Sequence, residues 1–289
     1  MTSDMHDGGL DAPTPEEVGA AYDEFGPLYG LTLGESAIHI GMWTPHGERE
    51  PASTLPDLAN RAMDRQTDAY IDALPVGPGD HFLDIGCGTG GPAVRLARRT
   101  GARVTGVTVS KSQIAHSEER ARAAALTDRV SFAYGNAMEL AYEDGSFDAA
   151  WAIDSFPHLS DRLAGLREAC RVLRPGATML LTEFTRRGDP PPEQVATFRE
   201  VWTSPPPMTP AEGLELTARA GFELVRLENH SQNVAVSGEL MAVLYQDRHD
   251  EVLRRYGPEA TARMDAAMPL LRTFVRDHLG YYVYLLRKP

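Results

Sequence analysis

Between His81 and Phe184 short apolar runs alternate with stretches of helical period, and this alternation limits the possible fold more than any other feature. "HFLDIG" (81–86), "RVTGVTV" (103–109), "RVSFAYG" (129–135), "FDAAWAID" (147–154) and "ATMLLTEF" (177–184) have the length and apolar content of buried strands. "GPAVRLARR", "SQIAHSEERARAAAL" and "DRLAGLREACRVL" lie among them and read as helices. Strands joined through helices need crossover connections. The expectation is an α/β, doubly wound fold whose mostly parallel sheet is covered on both faces.

The flanks read differently. Residues 1–13 are polar and acidic and are expected to form a disordered tail. In "TPEEVGAAYDEF" Thr14 is placed to cap a helix, with Pro15 at its first position and Glu17 completing a capping box. Val18, Tyr22 and Phe25 then share one apolar face. "AIHIGMW" (37–43) alternates, and a helix spans roughly 55–74, so residues 14–75 form an N-terminal helical lid and 76–185 the core. Beyond Phe184 come the proline-rich "RRGDPPPEQ" and "SPPPMTP", then a second capping box at Thr209, Pro210 and Glu212. "ELVRLEN" (223–229) and "GYYVYLLR" (280–287) are the last strands. They are separated by a mostly helical stretch, 233–277, expected at one edge of the sheet. Residues 186–289 therefore hold the last strands and two cap insertions, about 186–220 and 233–277.

Charge excludes several classes of partner. The chain has 28 basic and 41 acidic residues, a net charge of -13, and no basic run. That disfavours nucleic acid and anionic membrane surfaces. No apolar stretch approaches the length of a membrane span. The two cysteines, Cys87 and Cys170, sit in no metal-type cluster, and the polar start is unlike a signal peptide. A cytoplasmic protein acting on a small molecule is the expectation.

The turn after the first strand, "GCGTGG", fits two spacings. Gly86, Gly88 and Gly91 fit G-x-G-x-x-G, and Gly86, Gly88 and Gly90 fit G-x-G-x-G. In both cases glycine lets backbone N–H groups approach a ligand, and the helix N-terminus favours a negative group. A dinucleotide is disfavoured. Asp84 lies inside the strand, two residues before the first glycine, and the second strand ends in "GVTVS" with no acid for a ribose diol.

With "LDIGCGTGG", "VTGVTVSKSQ", "GNAMELAYEDGSFDAAWAIDSFPHL" and "EACRVLRPGATMLLTEF" in order, the sequence resembles the class I S-adenosylmethionine-dependent methyltransferases. It is most similar to their small-molecule, natural-product branch, including sugar O-methyltransferases and prenyl or sterol C-methyltransferases. The resemblance implies a Rossmann-like, seven-stranded sheet with an antiparallel last strand. It also implies S-adenosyl-L-methionine as cofactor, S-adenosyl-L-homocysteine as product, and in many members a homo-oligomer. In such a turn Gly86, Gly88 and Gly90 meet the methionine carboxylate, and Asp84 braces the loop or the amino group. Thr108 stands where an acid usually binds the ribose, so Ser110 and Gln113 become the candidates, although Ser110 equally fits a helix cap. Asn136 replaces an Asp that accepts from adenine. Ala137 follows, then Met138, which either packs on the ring or belongs to the core. Val109 and Asp154 complete the expected cofactor contacts. Tyr22, His39, Gly41 and Trp43 match an element that closes over the cofactor, where aromatic faces suit a sulfonium.

The same resemblance places proton acceptors at the carboxyl ends of the fourth and fifth strands. There stand Asp154, Ser155, Phe156, Pro157 and His158, and then Glu183. Pro157 occupies the place of the first of two adjacent histidines found in sugar O-methyltransferases. His158 is a candidate base or a helix cap. Glu183 is a candidate base or an ion-pair partner of Arg186 or Arg187. His230 reads as a loop histidine. Met241, Leu244, Tyr245, Met264, Met268, Leu271 and Phe274 in the cap suit a bulky apolar acceptor, or simply a packed helical cap. Methylation of O or N is the leading expectation. C-methylation of a prenyl or terpenoid alkene, coupled to ring closure, is the alternative, and a non-methylating cyclase or scaffold the more distant one.

Overall fold

A computed structural model describes residues 12–32, 34–43 and 52–289. Most of the expected tail, residues 1–11, lies outside them. The chain opens with α1 (Pro15–Thr32) and α2 (Leu55–Asp72). The first half of the sheet follows as β1 (His81–Ile85), α3 (Gly91–Thr100), β2 (Arg103–Thr108), α4 (Lys111–Ala123) and β3 (Val130–Tyr134). The second half is β4 (Phe147–Ala152), a 3-10 turn at Phe156–His158, α5 (Arg162–Val172) and β5 (Leu173–Arg186). Then come α6 (Pro192–Trp202), α7 (Pro210–Arg219), β6 (Glu223–Asn229), α8 (Ser231–Asp247), α9 (His249–Asp277) and β7 (Leu279–Arg287). Both expected capping boxes form. Glu17 N–H donates to Thr14 Oγ1 at 3.2 Å and Thr14 N–H to Glu17 Oε2 at 2.8 Å, and Thr209 and Glu212 repeat the exchange.

The sheet has seven strands in the order β3-β2-β1-β4-β5-β7-β6, and β7 runs antiparallel to both neighbours. Strands run outward from β1 as β2 and β3, and from β4 as β5, β7 and β6. The carboxyl ends of β1 and β4 therefore flank a crevice, the usual ligand position in such sheets. Strand periodicity sorts the core into two layers. Phe82, Val104, Trp151, Leu180 and Tyr281 bury on one face, and Leu83, Ala150, Met179, Leu181 and Leu286 on the other.

One expectation is corrected. The 233–277 stretch does not sit at a sheet edge. β6 and β7 are antiparallel neighbours whose joined ends lie side by side, and α8 and α9 between them pack over the sheet face instead of beyond its edge. Val234, Met241, Phe274 and Val275 bury against Phe184 and Tyr281 there. Gly257, with φ 79°, kinks α9 so that it follows this path. No described helix is long and apolar enough to cross a membrane.

The burial pattern makes a direct contrast. Phe82→Ala, at a side chain with 0% exposure, is expected to cost about 3–5 kcal/mol in urea unfolding. Val225→Ala, on β6 at 54% exposure, is expected to stay within about 0.5 kcal/mol of wild type.

Candidate active site

The turn after β1 is shaped from beneath. Gly86 and Cys87 both donate their N–H groups to the Val107 carbonyl, at 2.8 and 2.9 Å. Gly86 has φ +77°, and a Cβ there would come within 2.2 Å of Ser155 Cβ, so side chains are excluded twice over. Ser155 is itself fixed by donating to the Ile85 carbonyl at 2.6 Å. The turn borders a cleft enclosing about 760 Å3, its solvent-open part included. Gly86, Gly88, Thr108, Val109, Gln113, Asn136, Ala137, Met138, Asp154 and Tyr22 line it. Ten residues from six separate stretches of sequence thus converge on one space.

The structure places other expected contacts elsewhere. Gly90 begins α3 against Ser117 and Phe132 and does not line the cleft. The Gly86 N–H is already engaged, so it is not available to an anion. Ser110 is also turned away. It caps α4 by accepting from Gln113 N–H at 3.1 Å, and it donates to Asp23 Oδ1 of α1 at 2.5 Å. Gln113 accepts from Thr108 Oγ1 at 2.6 Å, which leaves its amide nitrogen for other partners beside the cleft. The Asn136 side-chain oxygen accepts from Met138 N–H at 3.0 Å, and the Met138 sulfur is held by Ser160 Oγ at 3.5 Å. Met138 therefore forms a positioned wall. α1 closes over this end, with Gly19 so near Val109 that a Cβ would meet its carbonyl oxygen at 2.2 Å.

Asp84 lies under the turn, 3% exposed, and its Oδ2 has no hydrogen-bond partner. Burial pushes its carboxyl up to about 7, with the Trp151 indole N–H drawing it back down. An unpaired buried carboxylate beside a glycine turn is a strained arrangement that a cationic amino group would relieve. Asp84 does not line the cleft itself; its unpartnered Oδ2 behind the turn, together with the cleft lining, fits the amino-acid end of S-adenosylmethionine.

The 37–43 segment does not act as a unit. Trp43 donates its indole N–H to Ser237 Oγ of α8 at 2.8 Å and lines neither cleft nor chamber. His39 is buried. Its Nδ1 lies 2.6 Å from the Ile40 carbonyl and its Nε2 3.0 Å from Thr67 Oγ1, so both ring nitrogens are occupied. Trp43 serves as a clasp, His39 lines the second chamber with its ring nitrogens engaged, and Tyr22 alone of the three aromatic groups reaches the cleft.

A second chamber of about 540 Å3, its solvent-open part included, adjoins the first. It shares Tyr22, Ile38, Asp154 and His158 with the cleft, and Phe184, Trp202, Val234, Met241 and Val275 give it an apolar wall. Of the expected cap residues, Met241 therefore reaches it, whereas Leu271 and Phe274 belong to the packed core. His158 stands on the boundary. Its Nδ1 is 3.3 Å from the Thr203 carbonyl, which can only accept, so Nδ1 carries the proton. Burial holds the imidazole below its ordinary value and hence neutral. Nε2 then carries the lone pair, which accepts from Tyr22 O–H at 2.9 Å. Burial drives the Tyr22 phenol well above its ordinary value, so it remains a donor.

Glu183 is corrected as a base. It is 1% exposed and lines neither chamber. Strand alternation turns it to the face opposite Phe184, where its partner is Arg162 at 3.5 Å, not Arg186 or Arg187. His230 pairs with Glu228 at 2.9 Å, away from both chambers. Thr203 and Tyr281 escape sequence analysis altogether. Thr203 acts through its carbonyl, and Tyr281 reaches Asp154 from β7 at 2.6 Å, 127 positions away. No linear signal marks either.

Residues 83–181 match the family described as methyltransferase domain. The 27-O-demethylrifamycin SV methyltransferase of Amycolatopsis mediterranei is 34% identical over 281 residues, 96% of this chain and 98% of that protein. The (+)-O-methylkolavelool synthase of Herpetosiphon aurantiacus is 32% identical over 277 residues, covering 96% and 95%. Among solved structures the [4+2]-cyclase SpnF is 33% identical with a TM-score of 0.82, covering 97% of this chain and 99% of that one. The chain belongs to the class I S-adenosylmethionine-dependent methyltransferases, in their natural-product branch. S-adenosylmethionine is its cofactor.

Asp84 yields a signed prediction. Its folded value lies above the unfolded 3.8, so the folded state holds the extra proton and loses stability as pH rises toward 7. Asp84→Asn removes that loss. In the ligand-free protein its stability gain over wild type should grow from near zero at about pH 4 to a few kcal/mol above about pH 7, while affinity for S-adenosylhomocysteine falls. Paired unfolding curves and calorimetry check both. A gain independent of pH would count against the unpaired carboxyl.

Proposed function

We propose that this enzyme methylates an oxygen or nitrogen atom, foremost a hydroxyl oxygen, of a bulky and largely apolar small molecule in specialised metabolism. One observation carries this: a neutral His158 on the wall shared by the two chambers, its Nε2 lone pair held only by the Tyr22 hydroxyl. S-adenosylmethionine supplies, when bound, a methyl group on a positively charged sulfur. The chain's residues align the acceptor, exclude water and take its proton. The apolar second chamber seats the acceptor body. Its hydroxyl takes the place of Tyr22 O–H at His158 Nε2, and the proton passes to that nitrogen as the oxygen is alkylated. The Thr203 carbonyl holds the ring in the tautomer this needs. Most of the remaining polar groups around this chamber are already satisfied: His39 by Ile40 and Thr67, and Asp154 by three donors. A polyhydroxylated sugar would find few partners there, whereas the apolar wall favours a lipophilic alcohol. Both described cysteines are free, which suits a cytoplasmic site of action.

A second function, in which this chamber would fold a substrate for cyclisation without methyl transfer, is favoured by the 33% identity to the [4+2]-cyclase SpnF. S-adenosylhomocysteine release with a panel of apolar alcohols separates the two, since a cyclase would convert its substrate with none. Prenyl alkenes in the same panel test C-methylation. With an accepted alcohol, His158→Gln should lower kcat about 10²–10⁴-fold and leave S-adenosylhomocysteine affinity unchanged. The wild-type rate should rise with pH only below the ordinary histidine value and be flat at neutral pH, because the ring is neutral there already. Full activity in the His158→Gln variant would sink the base assignment.

A further inference from the structure

Behind the His158 turn lies a buried ion pair that neither chamber uses. Arg162 is the first residue of α5, with its side chain 11% exposed, and Glu183 is 1% exposed. Arg162 Nε stands 3.5 Å from Glu183 Oε2, beyond a good hydrogen bond, and both Glu183 oxygens lack any other partner. A pair this loose does little for stability, because desolvation of two charges offsets their attraction. The rest of the guanidinium has a second contact. Arg162 Nη2 donates to the Pro157 carbonyl at 3.1 Å, the peptide that leads directly into His158.

We propose that Arg162, held by Glu183, is a positioning residue that pins the Phe156–His158 turn and keeps a positive charge behind the imidazole. The pin works through the Pro157 carbonyl. With that carbonyl fixed, the ring is directed so that Nδ1 meets Thr203 and Nε2 meets Tyr22. The charge works at a distance, by disfavouring a second proton on the ring. Several groups face His158 from the elements around it. Tyr22 comes from α1, Asp154 from the end of β4, Arg162 from α5, and the Trp202 and Thr203 carbonyls from the end of α6. Burial is the largest influence and holds the ring neutral, the two carbonyls and Asp154 oppose it, and Arg162 reinforces it. Glu183 is thereby a counter-charge that makes a buried guanidinium tolerable. Its own carboxyl is pushed up to about 7 by burial, against the pull of Arg162.

This inference rests on His158 being the base, but its test needs no acceptor. The full-length protein is labelled at histidine nitrogen, saturated with S-adenosylhomocysteine, and titrated by NMR, with His158→Gln assigning the signal. In Arg162→Met the His158 titration should move up by about half a unit or more, and the Nδ1-protonated signature should give way to a tautomer mixture. Arg162→Lys should restore the titration, because the charge returns. It should not restore the pure tautomer, because the forked contact with both Glu183 and Pro157 does not. If Arg162→Met fails to fold with Glu183 left alone, Arg162→Met/Glu183→Gln removes both charges and should give the same two changes. A wild-type His158 titration and tautomer in whichever of these variants folds would overturn the assignment. A fully active His158→Gln would instead overturn the base and leave the positioning intact.

Discussion

The carboxylate of Asp154 holds the site together. It ends β4 with φ +54°, a left-handed conformation that costs a non-glycine residue on the order of 1 kcal/mol. Three donors converge on its two oxygens. Ile40 N–H reaches it at 3.0 Å, Thr182 Oγ1 at 2.7 Å and Tyr281 O–H at 2.6 Å. Hydrogen bonds to a charged group contribute roughly 1.5–3 kcal/mol each, enough to outweigh the strain. One side chain thus ties the N-terminal segment to β5 and to β7, and it does so on the wall between the two chambers. If the carboxylate turned away, the 38–41 segment would lose its only side-chain anchor to β4 among the described residues.

Around that anchor the two chambers divide their polar chemistry. Behind the cleft an unsatisfied acid, Asp84, lies under the glycine turn, whose own N–H groups are partly spent on Val107. The second chamber borders the Nε2 lone pair of His158, which the Tyr22 hydroxyl holds until an acceptor displaces it. An activated methyl donor asks little more of a protein than alignment and a dry site. Both the apolar wall from α8 and α9 and the tight seat of α1 at Gly19 serve that end.

Part of this was plain from the residues in order. Apolar runs of strand length separated by helical periods specify a parallel sheet, because each element signals through its own neighbours. The capping boxes at Thr14 and Thr209 are likewise local, and both form. Gly86, Gly88 and the Asn136–Met138 segment, singled out by resemblance, line one cleft. Ser110, His39, Trp43 and Glu183 show where such reasoning stops. Each has side-chain chemistry suited to a ligand, and each spends it on a distant protein partner. Asp23 takes Ser110, Thr67 takes His39, Ser237 takes Trp43 and Arg162 takes Glu183.

The order of residues was sufficient for the class of fold, the glycine turn and the family, since these depend on period, spacing and backbone freedom within a few positions. Which polar groups remain free for chemistry was settled only when the chain closed. A hydroxyl, imidazole or carboxylate is available only if no other group reaches it first, and those competitors stand between 28 and 194 positions away for His39 and Trp43. Topology decides such meetings. The reversal of β7 is what brings Tyr281 to Asp154, and the path of α8 across the sheet is what makes one wall of the acceptor chamber.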